Sequence, residues 1–465
     1  MEQNKERFNH EIGKVTIRKT NNKKIKNTKT INTKYDNEDI FTLIAKAELD
    51  LIAIDTSDII VSTTTNSDGD VTTSKYEGVT ATFCKLHWAK YKNDPPSLPM
   101  FRMLVEESEC DSSDNRYTMD LADIARKLDE HEAEYEEKYG VHVMPPAGFI
   151  FHESRVGSTL VSNSLTAMDP AAHRVYSESD PINQAFGACK SFTLCDMETN
   201  VDLLRDVVYL LGRTSVPTEK RMFFKVSSAF TTRIDVMQAA FEYVPWLFVF
   251  RNPVQTMMSH IDPTKLKTFR GASYPAVCLR SKRHPSEELQ SLVLDKYDPK
   301  RHASELSDVE FCAAHLVRER HRSFLFMCAY YSYLQAFMHN FSSKATLCEA
   351  ALFRLKREEH RQGAAVEYEN LVDKLITDVF PNHFTIGEEG GLDEITRQRI
   401  LDVAKVYSKS KDHDRNWKED SAKKDASATP EIVEASDRYL SSSYAALRKT
   451  FCVYNRAWHY VYFAD

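Results

Sequence analysis

Two groups of residues have types and spacings suited to holding anions. The first lies in Gly148–Asn163, GFIFHESRVGSTLVSN, where an apolar run leads to Arg155, Val156, Gly157, Ser158 and Thr159 ahead of a helix-forming stretch. A small-residue turn entering a helix aims backbone N–H groups and the positive helix end at one point, which suits phosphate or sulfate. The pattern is not GxxxxGK[ST], because Ser158 stands where that motif needs Lys and His152 where it needs its first Gly. The second group is Val249-Phe250-Arg251-Asn252-Pro253, with Ser259 eight residues after Arg251. An arginine at the tip of a buried strand needs an anion or a carboxylate. A helix starting near Pro253 returns the Ser259 hydroxyl toward that tip. The plainer alternative is an Arg251 paired with a nearby acid and an ordinary helix serine.

Short apolar runs separated by helical patterns predict the elements that position these residues. The runs Gly148–His152, His173–Ser177, Met222–Val226, Trp246–Arg251 and Ala364–Tyr368 are each a few residues long and mostly apolar, as strands buried on both faces should be. The expected fold is α/β, a central parallel sheet flanked by helices. Ligands of such sheets bind at the carboxyl ends of the strands, and four of those ends carry the Arg155 loop, Glu178, Lys225 and Arg251. Around this core, residues 1–37 read as a disordered basic tail, with Lys23-Lys24-Ile25-Lys26 either solvated or addressed to an acidic partner. Residues 38–144 read as an N-terminal extension in which Met119–Tyr139 forms an exposed helix, and 145–465 as the main domain. A mostly helical insertion occupies about 262–362, with a charged front part from His260 to Arg301. Lys405–Asp425 reads as a lysine-rich loop and Pro430–Phe451 as a terminal helix.

The chain has 465 residues, a net charge of −7 and a pI near 6.2, so no global attraction to nucleic acid is expected. Nine cysteines, an odd number without CxxC spacing, predict reduced thiols and neither a disulfide framework nor a zinc site. The polar first residues and the lack of a long apolar stretch predict a soluble cytoplasmic protein without a membrane span. Oligomeric state is not readable.

Taken together, the loop and the Arg251–Ser259 pattern resemble the sulfotransferase superfamily that uses 3′-phosphoadenosine 5′-phosphosulfate (PAPS). The loop is similar to [KR]-S-G-[ST]-[ST], the second stretch matches R-[DN]-P-x5-S, and Tyr368-Glu369-Asn370-Leu371 is similar to the YE-D-L element of that family. The resemblance runs from about Gly148 to Leu371 and implies a P-loop-type fold. It implies that Arg155, Gly157, Ser158 and Thr159 hold the 5′-phosphosulfate and that Arg251 and Ser259 hold the 3′-phosphate. The lysines of Lys409–Lys424 do not match the family's RKG loop. Lys225 is placed to stabilise the leaving oxygen, or it is a strand-end lysine reaching into water. Small-phenol and steroid sulfotransferases place a histidine two residues after this lysine, where this chain has Ser227. Glu178, in Tyr176-Ser177-Glu178-Ser179, matches instead the glutamate base of tyrosylprotein sulfotransferases; the alternative is a carboxylate that only orients a loop. The implied catalytic residues are Glu178, Lys225 and Arg155. The reaction is transfer of a sulfuryl group from PAPS, without metal, to a hydroxyl or amine of a small-molecule, carbohydrate or peptide acceptor. It releases adenosine 3′,5′-bisphosphate. The other readings are a P-loop small-molecule kinase and a non-catalytic nucleotide-binding protein.

Overall fold

A computed structural model describes residues 37–65, 71–189, 195–261, 276–320, 363–387, 391–406 and 420–461. The tail expected at 1–37 lies almost wholly outside these residues, as do 262–275 and 321–362 of the insertion.

The chain opens with antiparallel structure. Strands β1 (Asp50–Asp55), β4 (Thr80–Cys84) and β5 (Tyr117–Asp120) form one sheet in the order β1-β4-β5, and β2 (Ile60–Thr65) pairs with β3 (Val71–Glu77) as a hairpin. Two short strands, β6 (His142–Val143) and β9 (Arg213–Thr214), pair antiparallel at the rim. The five remaining strands are β7 (Pro146–His152), β8 (His173–Ser177), β10 (Arg221–Lys225), β11 (Trp246–Phe250) and β12 (Gly363–Glu367). They form one parallel sheet in the order β12-β11-β7-β10-β8. Each expected run is a strand of this sheet, with boundaries shifted by two residues at most.

The composition of these strands follows from their burial. Phe149, Ile150, Phe151, Phe223, Phe224, Leu247, Phe248 and Val249 are fully buried, because helices cover both faces and leave no face for polar residues. Polar groups gather at the strand ends instead. The first strand of this sheet in chain order, β7, is central. The next connection leads to β8 at one edge, and the later strands β11 and β12 lie on the other side. The winding thus reverses beside β7, which opens a crevice at its carboxyl end.

The extension at 38–144 is not a separate body. Its Ile52, Phe83, Leu104 and Leu121 belong to the same continuous core as the sheet strands. Asp50 is 3.3 Å from Arg174 of β8, and Arg174 in turn is 2.5 Å from Glu219. Met119–Tyr139 differs from the single exposed helix expected. Strand β5 is followed by helices Leu121–Glu130 and Glu132–Tyr139, broken at His131. The Asp120 carboxylate caps the first by accepting from the Asp123 N–H, and Leu121, Ile124, Ala125 and Leu128 are buried beneath it. A second apolar cluster joins Met257, Met258 and Ile261 to Leu289, Phe311 and Leu316 and to Ile432, Tyr439 and Leu440 of the long C-terminal helix Pro430–Val461. Of the segment Lys405–Asp425 expected as a lysine-rich loop, residues 407–419 lie outside the described residues, and its end enters the short helix Ser421–Ser427.

The cysteines also depart from expectation. Cys84–Cys110, Cys189–Cys195 and Cys278–Cys312 are disulfides, spanning 26, 6 and 34 positions of chain. No spacing rule pairs them; the Cα atoms lie 5.0–6.0 Å apart, across 26 and 34 positions in two pairs and within one short loop in the third. Disulfides persist in oxidising compartments, so the cysteines give no support to a cytoplasmic location. Among the described residues, no helix is long and apolar enough to cross a membrane.

Candidate anion-binding and transfer site

The loop after β7 is shaped by two residues in the left-handed region, Arg155 at φ 73° and Gly157 at φ 86°, on either side of the buried Val156. Such a curl turns successive N–H groups toward one concavity. Helix Ser158–Met168 begins with Gly157 as its N-cap and without a capping side chain, so no side chain competes for the N–H groups of its first turn. Gly157 is required twice over: its φ suits glycine, and a Cβ there would lie 2.5 Å from the Tyr368 ring. Ser158 and Thr159 are buried at the helix start, whereas the Arg155 side chain is exposed.

Arg251 follows β11 and is 4% exposed. Its guanidinium carbon lies 4.2 Å from the centroid of the Tyr368 ring, the same ring that abuts Gly157. Its Nε donates to Gln255 Oε1 and its Nη2 to Asp420 Oδ1 and Ser421 Oγ, each at 2.8 Å. Lys424 Nζ lies 2.7 Å from the other Asp420 oxygen. Burial together with the Arg251 and Arg155 charges pushes the Lys424 ammonium below its ordinary range, against the opposing pull of Asp420. Burial pushes the Asp420 carboxyl up, but Lys424 and Arg251 outweigh it and hold the group below the usual carboxylate range. Arg155 and Arg251 therefore both act on the Lys424 ammonium. The arginine at the strand tip has found a carboxylate, as the plainer sequence alternative allowed. Ser259 does not reach Arg251: its hydroxyl donates to the Gln255 carbonyl at 2.8 Å, one turn back in helix Pro253–Ile261.

On the other side of β7, the ends of β8 and β10 carry Glu178 and Lys225. Parallel register sets Ser177 opposite Lys225, and the Glu178 N–H donates to the Lys225 carbonyl at 2.6 Å. The buried Lys225 ammonium pairs with Glu178 Oε1. Nε2 of His152, the last residue of β7, is 3.7 Å from the same oxygen. Glu178, at φ 53°, and Arg155 are two of the five non-glycine residues with positive φ among those described. Backbone strain of this kind persists where surrounding structure enforces it, often at ligand sites. The structure thus brings Glu178 and Lys225 into contact and sets Gly157 and Arg251 against the Tyr368 ring, while the Ser259 hydroxyl bonds to its own helix.

Several contributors were not visible beforehand. Glu153, fully buried, forms a two-point ion pair with Arg320, whose Nη2 also donates to the Arg251 carbonyl at 2.9 Å. Burial lifts the Glu153 carboxyl to about 7, although Arg320 pulls it down. This pair ties the loop after β7 to the end of β11. An acid directly after a buried strand does signal a missing cation, but nothing marks Arg320 as that cation. Asp420, Ser421 and the ring of Tyr368 were equally unmarked as neighbours of Arg251. His260 Nε2 lies 3.3 Å from the Ser154 carbonyl, and burial, His315 and Arg155 push its imidazole down to about 3. His260 also approaches Cys278 and Cys312, but those sulfurs are joined to each other and offer no thiolate.

No protein-family model, curated protein or solved structure matches this chain.

Proposed function

We propose that the protein is a PAPS-dependent sulfotransferase on a P-loop-type fold. The observation that carries this reading is two seats for anions that meet at the Tyr368 ring: the Arg155–Thr159 loop through Gly157, and Arg251, with Lys424 joined to it through Asp420. A donor with a 5′-phosphosulfate and a separate 3′-phosphate offers anions to both, whereas a simple mononucleotide offers only one. The residues fit that donor: the loop supplies N–H groups and a guanidinium, and the second seat supplies a guanidinium and an ammonium. Asp420 shares the second seat, so a 3′-phosphate reaches Arg251 by taking over its hydrogen bonds.

The acid–base pair lies one strand over. In the transfer, the acceptor oxygen or nitrogen bonds to sulfur while the bond from sulfur to the donor's bridging oxygen breaks. That oxygen leaves with the electron pair. Lys225 supplies a proton donor and positive charge for it, and Glu178 takes the acceptor proton. For both to act, the Lys225–Glu178 ion pair opens as the ammonium turns to the donor. Acceptors on this reading are hydroxyls or amines of small molecules, carbohydrates or peptides. The three disulfides favour an oxidising compartment as the place of action.

The direct test is calorimetry with adenosine 3′,5′-bisphosphate and adenosine 5′-monophosphate. At least tenfold tighter binding of the bisphosphate is expected, and equal affinities would remove the donor assignment. Labelled-donor transfer to an acceptor panel then separates an enzyme from a nucleotide-binding protein in which Lys225 and Glu178 stay locked together.

A further inference from the structure

We propose that Cys278, Cys312 and His260 form a redox-controlled zinc site next to the anion-binding loop. In the oxidised protein the two cysteines are a disulfide; after reduction their thiolates and the His260 imidazole hold one zinc ion. The inference does not depend on the sulfotransferase reading, in which no metal takes part.

Three separate segments meet at this place. His260 belongs to helix Pro253–Ile261, Cys278 to the 3₁₀ turn Val277–Leu279, and Cys312 to the helical stretch 308–320. One ring nitrogen and the two sulfurs all lie within 4.8 Å of one another. Two sulfurs on a tetrahedral zinc stand about 3.7 Å apart at the usual Zn–S length. Once the disulfide is broken, side-chain rotation brings the sulfurs to that separation. Two cysteines, a histidine and a water make a complete zinc shell. Charge favours it as well: both sulfurs are fully buried, and two thiolates cancel the dication, so no net charge is left inside. Among the described residues, neither Cys84–Cys110 nor Cys189–Cys195 belongs to such a cluster.

His260 is prepared as a ligand. Its Nε2 lies 3.3 Å from the Ser154 carbonyl oxygen. A carbonyl only accepts, so Nε2 carries the hydrogen and Nδ1 the lone pair. Metal-bound histidines are oriented in this way, through the ring nitrogen that does not touch the metal. His315, one helical turn after Cys312, is a second sign of an unfilled polar place. It is 8% exposed, its Nε2 lies 3.5 Å from Glu319 Oε1, and its Nδ1 is buried without a hydrogen-bond partner. An orphaned buried nitrogen of this kind calls for a water or an ion.

The exchange balances with a dithiol as reductant. Its two thiols give up two electrons and two protons; the Cys278–Cys312 bond breaks, two protein thiols form, and the dithiol closes to its own disulfide. Zinc then displaces the two thiol protons as two Zn–S bonds form. Cys278 lies in a three-residue turn followed by the exposed Arg280, and local opening of so short an element admits the reductant and the ion.

The experiment uses the full chain, reduced with a water-soluble phosphine and kept from air. Cobalt(II), which occupies tetrahedral zinc sites and is coloured there, should bind once per chain with a thiolate-to-cobalt charge-transfer band, and zinc should displace it. The oxidised protein should show no band. Cys278→Ser and Cys312→Ser should each abolish it, and His260→Gln should weaken cobalt binding about tenfold or more. No band in the reduced wild type, or a band that survives Cys278→Ser or is indifferent to His260→Gln, would overturn the proposal. A second readout needs no variant: zinc should shield Cys278 and Cys312 of the reduced wild type from alkylation, read by peptide mapping. Equal labelling with and without zinc would overturn it as well.

Discussion

Arg251 and Asp420 meet at 2.8 Å, joining the tip of a central strand to a residue 169 positions later. The arginine is buried and the aspartate is about half exposed, so the pair sits at the mouth of the crevice. An anion that approaches Arg251 competes with this carboxylate. Asp420→Asn keeps the shape and removes the competing charge, and it should tighten adenosine 3′,5′-bisphosphate binding roughly tenfold, about 1.4 kcal/mol. Arg251→Ala should weaken it by at least as much and erase the preference over adenosine 5′-monophosphate. Calorimetry on the two variants checks both directions.

Glu178→Gln removes the proposed base without removing its bulk. Turnover should fall roughly a hundredfold or more, with bisphosphate affinity retained. An unaltered rate in a steady-state assay would assign the role to another group.

Gly157→Ala places a methyl group against the Tyr368 ring, at 2.5 Å before any relaxation, on a backbone with φ 86°. Tyr368 cannot yield freely because Arg251 stacks on its ring. The variant should lose on the order of 1–3 kcal/mol of stability and most of its anion binding. Thermal melts with and without bisphosphate would record both losses.

His260 supplies a pH dependence whose sign is fixed by its surroundings. Burial, His315 and Arg155 depress its pKa from the ordinary 6.5 to about 3, so the folded state resists protonating a ring that the unfolded chain protonates readily. Its contribution to stability is complete above pH 6.5 and is lost as pH falls toward 3. Melting temperature should therefore drop across that acid range, and His260→Gln should flatten the decline. A bound anion beside Arg155 should flatten it too, because it offsets one of the charges that disfavour imidazolium.

Unreduced peptide maps should contain the cross-linked pairs Cys84–Cys110, Cys189–Cys195 and Cys278–Cys312. Reduction should lower the melting temperature, with each of the two longer loops contributing about 3–4 kcal/mol.

The chain's own order of residues determined the parallel sheet and the places where chemistry gathers. Runs such as WLFVF and RMFFK read as buried strands because a strand covered on both faces admits only apolar residues, and the charges then fall at its ends. Lys225 and Arg251 stand at the ends of their runs, Glu178 directly after one, and Arg155 in the small-residue turn after another, all of which are local properties. Pairing is not local. Which acid meets Lys225, which cation neutralises Glu153, and which carboxylate sits on Arg251 depend on contacts spanning 47, 167 and 169 positions. The same holds for the disulfides, where spacing argued for free thiols and packing joined them. Ser259 shows the converse: its spacing from Arg251 was right for a shared ligand, but the nearest acceptor is its own helix carbonyl, and the hydroxyl turns to that. Strand identity follows from the solvent preference of each residue, whereas partners are decided only when the tertiary structure brings distant strand ends and helices to one crevice.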